Sequence, residues 1–201
     1  MKLLDILNEF NLDSDFLNQG YSEGGTDKNT CHSYIENFYE KVFEPYKESK
    51  IDLLEIGIET GGSLKLWKEY FLNSKSIIGI DISDGKIDQR YRNIDGVTIN
   101  IGDAYDEKFS KKFEQFDIII DDGPHTLESQ LKSVELYLPK LKEDGLFIIE
   151  DIQSIEHFDS LIEKSKKVCE LIDNQIEYNV ECIDLRDKKG RWDDLIFLIR
   201  T

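Results

Sequence analysis

The stretch that most constrains the fold of this chain is residues 116–125, which read FDIIIDDGPH. Its apolar run is typical of a short β-strand covered on both faces, as in a parallel sheet. Gly123 and Pro124 then end the strand, because each disfavours regular structure for its own steric reason. Two acidic residues and His125 stand at this end. Open α/β sheets bind their ligands at the carboxyl ends of the strands, so this end is a candidate site.

A second apolar strand, residues 146–150 (LFIIE), ends in the same way with Glu150 and Asp151. If the two strands are parallel neighbours, both acidic pairs converge with the histidine at one edge of the sheet. The first pair consists of Asp121 and Asp122. These acids could merely cap strands and form turns. Two strands that end in paired acids, with a histidine three residues beyond one pair, favour a functional site.

The charge and the cysteines narrow the classes of partner. The net charge is −17, with 42 acidic and 25 basic residues, and binding to a phosphate backbone needs clustered Lys and Arg. Nucleic acid and membrane surfaces are therefore disfavoured, and a small molecule or a metal ion fits better. No apolar run approaches the length of about 18 residues that a membrane span needs. The 3 cysteines form neither a CxxC pair nor a zinc set, which predicts reduced thiols in a cytoplasmic protein.

Residues 51–67 (IDLLEIGIETGGSLKLW) predict a strand, a glycine-containing turn and a helix that opens near Ser63. This is the phosphate-loop position of a Rossmann-like unit, but the spacing is not GxGxxG. Glu55 places a negative charge where a pyrophosphate would be expected. We therefore predict a cationic nucleoside ligand, with contacts from this glutamate, Gly57, Gly61 and Ser63, rather than a nicotinamide dinucleotide. A plain strand–helix turn is the alternative.

The next two strands also end in acids. Residues 76–81 (SIIGID) end in Asp81, which is placed to accept both ribose hydroxyls of an adenosine. Residues 97–106 give a third strand followed by Asp103, which either holds an adenine amino group or caps the next helix. We favour the adenine contact.

The N-terminal part combines a helix with a long loop. Residues 3–11 predict an amphipathic helix, and residues 11–29 form a polar loop that contains glycines. The end of the loop concentrates polar side chains, namely Lys28, His32 and Tyr34. Either this region is a lid that closes over a ligand, or it simply leads into a helix capped by Thr30.

The order of the elements predicts an α/β fold. Five strand–helix alternations are followed by two β-rich segments, residues 176–185 and 195–199, joined by a polar hairpin loop. A turn is expected at residues 144–145, and a helix at residues 155–172. This order implies a mostly parallel sheet with one antiparallel strand at or near its edge.

The motifs LLEIG, with the Gly61-Gly62 pair, and GID, ending at Asp81, resemble those of class I S-adenosylmethionine-dependent methyltransferases. The resemblance implies a Rossmann-like sheet in the order 3-2-1-4-5-7-6, with helices on both faces and a C-terminal antiparallel hairpin. It divides the chain into an N-terminal helix and lid loop (residues 1–29) and a methyltransferase domain (residues 30–201). S-adenosyl-L-methionine is the implied cofactor.

The segments DKNTCHSY, IIIDDGPH and LFIIEDI are similar to those of metal-dependent macrolide sugar O-methyltransferases, and cephalosporin-hydroxylase-like proteins are neighbours. The resemblance implies that Asp122, Glu150 and Asp151 hold Mg²⁺ and that His125 is the general base. Asp121 is expected to contact the cofactor or to orient another group. One departure is Pro124, which stands where the motif usually has serine. The resemblance also implies assembly into a homo-oligomer.

The residues together with the resemblance predict an S-adenosylmethionine- and Mg²⁺-dependent O-methyltransferase, and the resemblance implies that it acts on a hydroxyl of a sugar or of another polyhydroxylated small molecule. Metal coordination lowers the pKa of the attacking hydroxyl, and a histidine takes the proton near neutral pH. The alternatives are a hydroxylase-like or catechol-type enzyme on the same scaffold and a non-catalytic cofactor-binding subunit. A nicotinamide reductase is opposed by Glu55 and by the missing GxGxxG motif.

Overall fold

The computed structural model describes residues 1–14, 24–172 and 178–201. Seven strands form one sheet in the order β3-β2-β1-β4-β5-β7-β6. This confirms the predicted fold class and strand order. The strands are β1 (Asp52–Ile56), β2 (Ser76–Asp81), β3 (Val97–Ile101), β4 (Phe116–Asp121), β5 (Leu141–Ile149), β6 (Asn179–Asp184) and β7 (Leu195–Arg200).

Helices cover both faces of the sheet, and each face has its own apolar core. Trp67 and Tyr39 are fully buried in one core, and Tyr137 is fully buried in the other. The α-helices are α1 (Leu3–Phe10), α2 (Glu40–Phe43), α3 (Gly62–Tyr70), α4 (Glu107–Ser110), α5 (Leu127–Tyr137), α6 (His157–Ile172) and α7 (Arg186–Lys189). A π-helical turn (Ile35–Tyr39) leads into α2, and 3₁₀ turns lie at Glu44–Tyr46 and Leu138–Lys140.

The pairing register brings the ends of the central strands level. Strand β1 is buried along its whole length and pairs in parallel with β4, with Ile56 opposite Asp121. Strand β4 pairs in parallel with β5, with Asp121 opposite Ile149. Glu150 continues this ladder, because its N–H donates to the Asp121 carbonyl at 3.0 Å. The residues that follow β4 and β5 therefore stand side by side at one edge, here called the carboxyl edge.

Several local predictions are wrong. Thr30 does not cap a helix, because its hydroxyl donates to Asp13 at 2.7 Å and the helical turns begin later in the chain. Asp106, not Asp103, caps α4 by accepting from the Phe109 N–H at 2.8 Å. Residues 144–145 do not form a separate turn but lie within the long strand β5, and the polar hairpin loop contains the short helix α7.

The N-terminal region is described in part. Residues 15–23, in the middle of the predicted lid loop, lie outside the described residues, as do residues 173–177 before β6. Asp13 and Thr26 form a β-bridge on either side of the first gap. Leu3 and Ile6 of α1 are fully buried in the same core as α3. The division at residue 29 stays a prediction. No helix in the described part of the chain is long and apolar enough to cross a membrane.

Candidate functional site

A cavity of about 670 Å³ opens at the carboxyl edge of the sheet. Its walls come from the turn after β1, from the ends of β2, β3 and β4, and from residues 25–32 of the N-terminal region. The predicted site residues that line it are Gly57, Ser63, Asp81, Asp103, Asp122, His125 and His32. The structure therefore brings half of the predicted site residues to one cavity.

Asp81 and Asp103 are fixed on one side of this cavity by main-chain hydrogen bonds. Asp81 accepts from the Glu59 N–H at 2.9 Å and from the Ser83 N–H at 3.1 Å. Asp103 accepts from the Tyr105 N–H at 2.9 Å. Held in this way, the two carboxylates can accept hydrogen bonds from hydroxyl and amino groups of a ligand.

The turn after β1 needs glycine because backbone segments approach each other closely. Gly57 has φ +79°, and a Cβ built there would lie 2.0 Å from the Asp122 carbonyl oxygen. Gly61 has φ +87° and precedes α3. At Gly57 the glycine therefore serves contact with the protein's own main chain, and the predicted contacts of both glycines with a cofactor stay predictions.

Glu55 and Asp121 do not line the cavity. Glu55 is fully buried and accepts from the Ser63 hydroxyl at 2.7 Å and from the Trp67 indole N–H at 3.1 Å. Burial raises the pKa of Glu55 to about 7. Asp121 accepts from the Tyr105 hydroxyl at 2.7 Å, and burial raises its pKa to about 6. Both carboxylates lie beneath the cavity wall, so their predicted cofactor contacts stay predictions.

Asp122, Glu150 and Asp151 stand together at the ends of β4 and β5, and we call these three residues the acidic centre. Glu150 is fully buried and Asp151 nearly so. Burial raises the pKa of Asp151 to about 6 and raises that of Glu150 well above its ordinary value. Carboxylates held this close together in a poorly hydrated site are stabilised by a cation nearby.

The structure supplies that cation as Lys28. Its ammonium lies 2.6 Å from Asp122 Oδ2, donates to Glu150 Oε2, and lies 3.8 Å from Glu55 Oε1. Burial alone would lower the pKa of Lys28, but the charges of Asp122 and Glu150 outweigh burial and raise it well above its ordinary value. Lys28 is thus an ammonium ion with 1% exposure inside the protein.

His125 stands where the acidic centre meets the cavity. Its Nε2 lies 3.9 Å from Asp122 Oδ1 and 3.7 Å from Asp151 Oδ2, and its side chain is 30% exposed. One ligand atom from each of these three residues lies within 4.8 Å of the other two. The φ angles of His125 (+56°) and Asp151 (+52°) are unusual for residues other than glycine.

The other two predicted N-terminal site residues also reach the acidic centre. The Tyr34 hydroxyl donates to Asp151 Oδ1 at 2.5 Å. The His32 ring stacks on Tyr34 with centroids 4.7 Å apart, and its Nδ1 lies 2.6 Å from Asp194 Oδ1. Burial lowers the pKa of His32, but the hydrogen bond with Asp194 and the charge of Asp151 outweigh burial, so the pKa is raised. Lys28, His32 and Tyr34 are therefore buried against the site.

Two residues that contribute to the site, Asp194 and Tyr39, were not identified from the sequence. Asp194, fully buried next to His32, comes from the loop before β7, which we had described only as polar. The signal was present, because Asp193 and Asp194 are a third acidic pair beside a strand. Tyr39 is fully buried, and Lys28 Nζ lies 6.0 Å from its ring centroid. The π-helical turn that positions Tyr39 has no clear sequence signal.

Comparison with known proteins places this site in a family. The methyltransferase domain family matches residues 47–196. The chain is 33% identical over 125 residues to demethylmacrocin O-methyltransferase of Streptomyces fradiae, and 33% identical over 124 residues to mycinamicin VI 2''-O-methyltransferase of Micromonospora griseorubida. Each match covers 57% of this chain and 30% of the relative. The chain therefore spans about a third of the length of these curated relatives.

Among solved structures, the chain is similar to the MycE methyltransferase from the mycinamycin biosynthetic pathway in complex with Mg and SAH. The TM-score is 0.68 at 21% identity, covering 100% of this chain and 54% of that chain. At this identity the likeness shows the fold. The family match extends from β1 to the start of β7, and the sheet has the strand order that the resemblance implied. This chain belongs to the methyltransferase domain family.

Proposed function

We propose that this protein is an S-adenosylmethionine- and Mg²⁺-dependent O-methyltransferase that acts on a hydroxyl of a sugar or of another polyhydroxylated small molecule. The observation that carries this proposal is that Asp81, Asp103, Asp122 and His125 all line one cavity. A cofactor and an acceptor bound there would be neighbours, as an in-line methyl transfer requires. We place the reaction in the cytoplasm, in keeping with the small number and wide spacing of the cysteines in the sequence.

The names of the similar proteins support this substrate class. The relatives described above are O-methyltransferases of macrolides, and a further one from Streptomyces olivaceus, 31% identical over 138 residues, is a 2'-O-methyltransferase of a rhamnosyl tetracenomycin. That match covers 65% of this chain and 36% of the relative. A second MycE structure contains mycinamycin VI together with Mg and SAH. By analogy we assign to this chain the same cofactor and an acceptor that carries neighbouring hydroxyls.

The residues of the acidic centre fit a divalent cation. Glu150 Oε1 is buried and has no hydrogen-bond partner among the described residues. A lysine ammonium already bridges Glu150 and Asp122, so the position favours positive charge. Carboxylate oxygens are the ligands that Mg²⁺ prefers. Asp122, Glu150 and Asp151 would hold the ion, which would lower the pKa of an acceptor hydroxyl bound to it.

The chain's own residues then perform binding and proton transfer. Asp81 and Asp103 hold the nucleoside by accepting hydrogen bonds from the ribose hydroxyls and the adenine amino group. His125 Nε2 accepts the proton of the acceptor hydroxyl, and its exposed edge allows release of that proton to water. Asp122 and Asp151, each within 4 Å of this nitrogen, stabilise the imidazolium that forms. Bound S-adenosylmethionine would supply the methyl group: the acceptor oxygen would bond to the methyl carbon while the carbon–sulfur bond breaks and the sulfur leaves as a neutral thioether.

Calorimetric titration tests the cofactor assignment. S-adenosylmethionine and S-adenosylhomocysteine are titrated into the wild type, Asp81→Ala and the control Asp84→Ala, whose side chain is 67% exposed at the surface. We expect micromolar binding by the wild type and the control, and at least tenfold weaker binding by Asp81→Ala, because buried hydrogen bonds to a ligand are lost. Absence of binding in the wild type would refute the proposal.

Turnover is tested with Mg²⁺ and a panel of glycosides and catechols, with labelled methyl groups as the readout. Methylation of glycosides that requires Mg²⁺ supports the proposed reaction. Methylation confined to catechols would reassign the acceptor. Cofactor binding without turnover on any acceptor would favour the non-catalytic subunit.

A further inference from the structure

The cation inside the acidic centre belongs to the protein itself. Lys28 Nζ bridges Asp122 Oδ2 and Glu150 Oε2, two oxygens that come from the ends of neighbouring strands. The side chain of Lys28 is 1% exposed, so this ammonium lies between the predicted metal ligands rather than at the rim. We infer that Lys28 and the divalent cation compete for one position, so that metal binding displaces the Lys28 ammonium and Lys28 determines the metal affinity. This inference rests on the metal requirement of the proposed function.

The competition follows from the positions of the oxygens. Mg²⁺ binds its oxygen ligands at about 2.1 Å and demands near-ideal octahedral geometry. An ion that takes Asp122 Oδ2 and Glu150 Oε2, the two oxygens that now bind the ammonium, therefore needs the space in which the ammonium lies. Two cations at adjacent positions in a poorly hydrated site also repel each other strongly. Simultaneous occupancy is thus opposed by both sterics and charge.

The unpaired oxygens show that one ammonium does not satisfy this cluster. Oε1 of Glu150 and Oε1 of Glu55 are buried without a hydrogen-bond partner among the described residues. Glu55 Oε1 faces the Lys28 ammonium only at 3.8 Å. A divalent ion supplies more charge and more coordination positions than an ammonium with three N–H groups. The exchange is therefore favourable for the carboxylates once the ion is present.

The main chain around Lys28 is held in place, so we expect the side chain to move. The Lys28 carbonyl accepts from the Tyr34 N–H at 3.1 Å and from the Ile35 N–H at 3.2 Å. Gly25 is bonded to the Thr60 hydroxyl through both its N–H (3.0 Å) and its carbonyl (2.7 Å). The neighbouring residue Asp27 lines the cavity, which gives a displaced ammonium a solvated acidic partner nearby.

Amine labelling of the wild type measures the displacement directly. The protein is treated with an N-acetylating reagent in the absence and presence of Mg²⁺, and acetylation of each lysine is followed by peptide mass spectrometry. Lys142 is the matched control, because its ammonium is also bound by two carboxylates, Asp52 at 2.6 Å and Asp117 at 2.8 Å. We expect Mg²⁺ to accelerate acetylation of Lys28 roughly tenfold or more and to leave Lys142 unchanged.

Calorimetry on Lys28→Met provides the second measurement. Without the competing ammonium, the variant is expected to bind Mg²⁺ roughly tenfold more tightly than the wild type, within the usual range of coupling between two ligands. Mg²⁺ is also expected to raise its thermal midpoint more than that of the wild type. If this variant does not fold, the labelling of the wild type decides alone.

The outcomes separate this inference from the proposed function. Equal or weaker Mg²⁺ binding by a folded Lys28→Met, or unchanged Lys28 labelling in a wild type that binds Mg²⁺, would overturn the competition and leave the metal-dependent enzyme in place. Absence of Mg²⁺ binding in both proteins would overturn the metal requirement and the competition together. The cofactor titration, performed without metal, is independent of both.

Discussion

Replacing Gly62, the first residue of α3, with alanine tests whether this glycine serves the protein's own N-terminal segment. A Cβ on Gly62 would lie 2.2 Å from the carbonyl carbon of Gly25 and 2.4 Å from its Cα. Both atoms are main chain, so no side-chain rotation can relieve the contact. Gly25 is moreover fixed by two hydrogen bonds with the Thr60 hydroxyl. The substitution must therefore push the N-terminal segment, and Lys28 three residues further on, away from the site.

The size of the effect follows from the required movement. Ordinary van der Waals contact begins at 3.4 Å, so the segment has to move by about 1.2 Å (3.4 minus 2.2). Overpacking of this kind costs about 1–3 kcal/mol, and weakened hydrogen bonds cost about 1 kcal/mol each. Alanine regains at most about 1 kcal/mol as the better helix former. We expect a net loss of about 2 kcal/mol in the free energy of unfolding.

The assay is urea unfolding together with thermal melting, and Gly85→Ala is the control, because a Cβ there would meet only Ser83 Oγ at 3.9 Å. For a chain of this size, about 2 kcal/mol corresponds to a decrease of about 4–8 °C in the thermal midpoint. The control should remain within about 0.5 kcal/mol of the wild type. A Gly62→Ala protein as stable as the control would refute the close approach of the two segments.

Three further predictions concern the base, a buried acid and a helix cap. His125→Gln should lower kcat about 10²–10⁴-fold while calorimetric cofactor affinity stays unchanged; a smaller decrease would argue against the base. Because burial raises the pKa of Glu55 from 4.5 to about 7, the folded state binds the extra proton, and stability falls as pH rises through this window. Between pH 5 and 8, the free energy of unfolding of Glu55→Gln, measured by urea unfolding, should decrease by about 3 kcal/mol less than that of the wild type. An equal decrease in the two proteins would contradict this. Thr126→Ala deletes the side chain that accepts from the Ser129 N–H at 3.1 Å at the start of α5; it should cost about 1 kcal/mol, and an unchanged urea midpoint would contradict it.

The sheet was predictable because its strands carry strong local signals. The apolar runs of β1 and β4 have the continuous hydrophobicity of strands covered on both faces, and both are buried almost throughout. The acids that end β2, β4 and β5 followed from the same runs, since a charged residue at the end of a buried strand must reach an edge. The cavity residues Asp81, Asp122 and His125 were therefore identified by their sequence context alone.

Contacts between distant segments were less predictable. The predicted cofactor contact of Glu55 stays a prediction, but the hydrogen bonds that this buried carboxylate accepts from Ser63 and Trp67 were not foreseen. Similarly, nothing in the sequence indicated that Gly62 approaches the main chain of Gly25. Closely spaced glycines and acids at strand ends both indicate that another group approaches the main chain or the carboxylate closely. Neither feature specifies whether that neighbour is a ligand or another part of the chain.

The third acidic pair shows how topology adds information that spacing lacks. Asp193 and Asp194 precede a strand rather than follow one, so they did not match the pattern of the other pairs. Because β7 is antiparallel to β5, its beginning lies at the edge where the parallel strands end. The fully buried Asp194 thereby meets His32, which itself lies 3.4 Å from Asp151. Acids before the antiparallel strand of such a sheet therefore deserve the same functional weight as acids after its parallel strands.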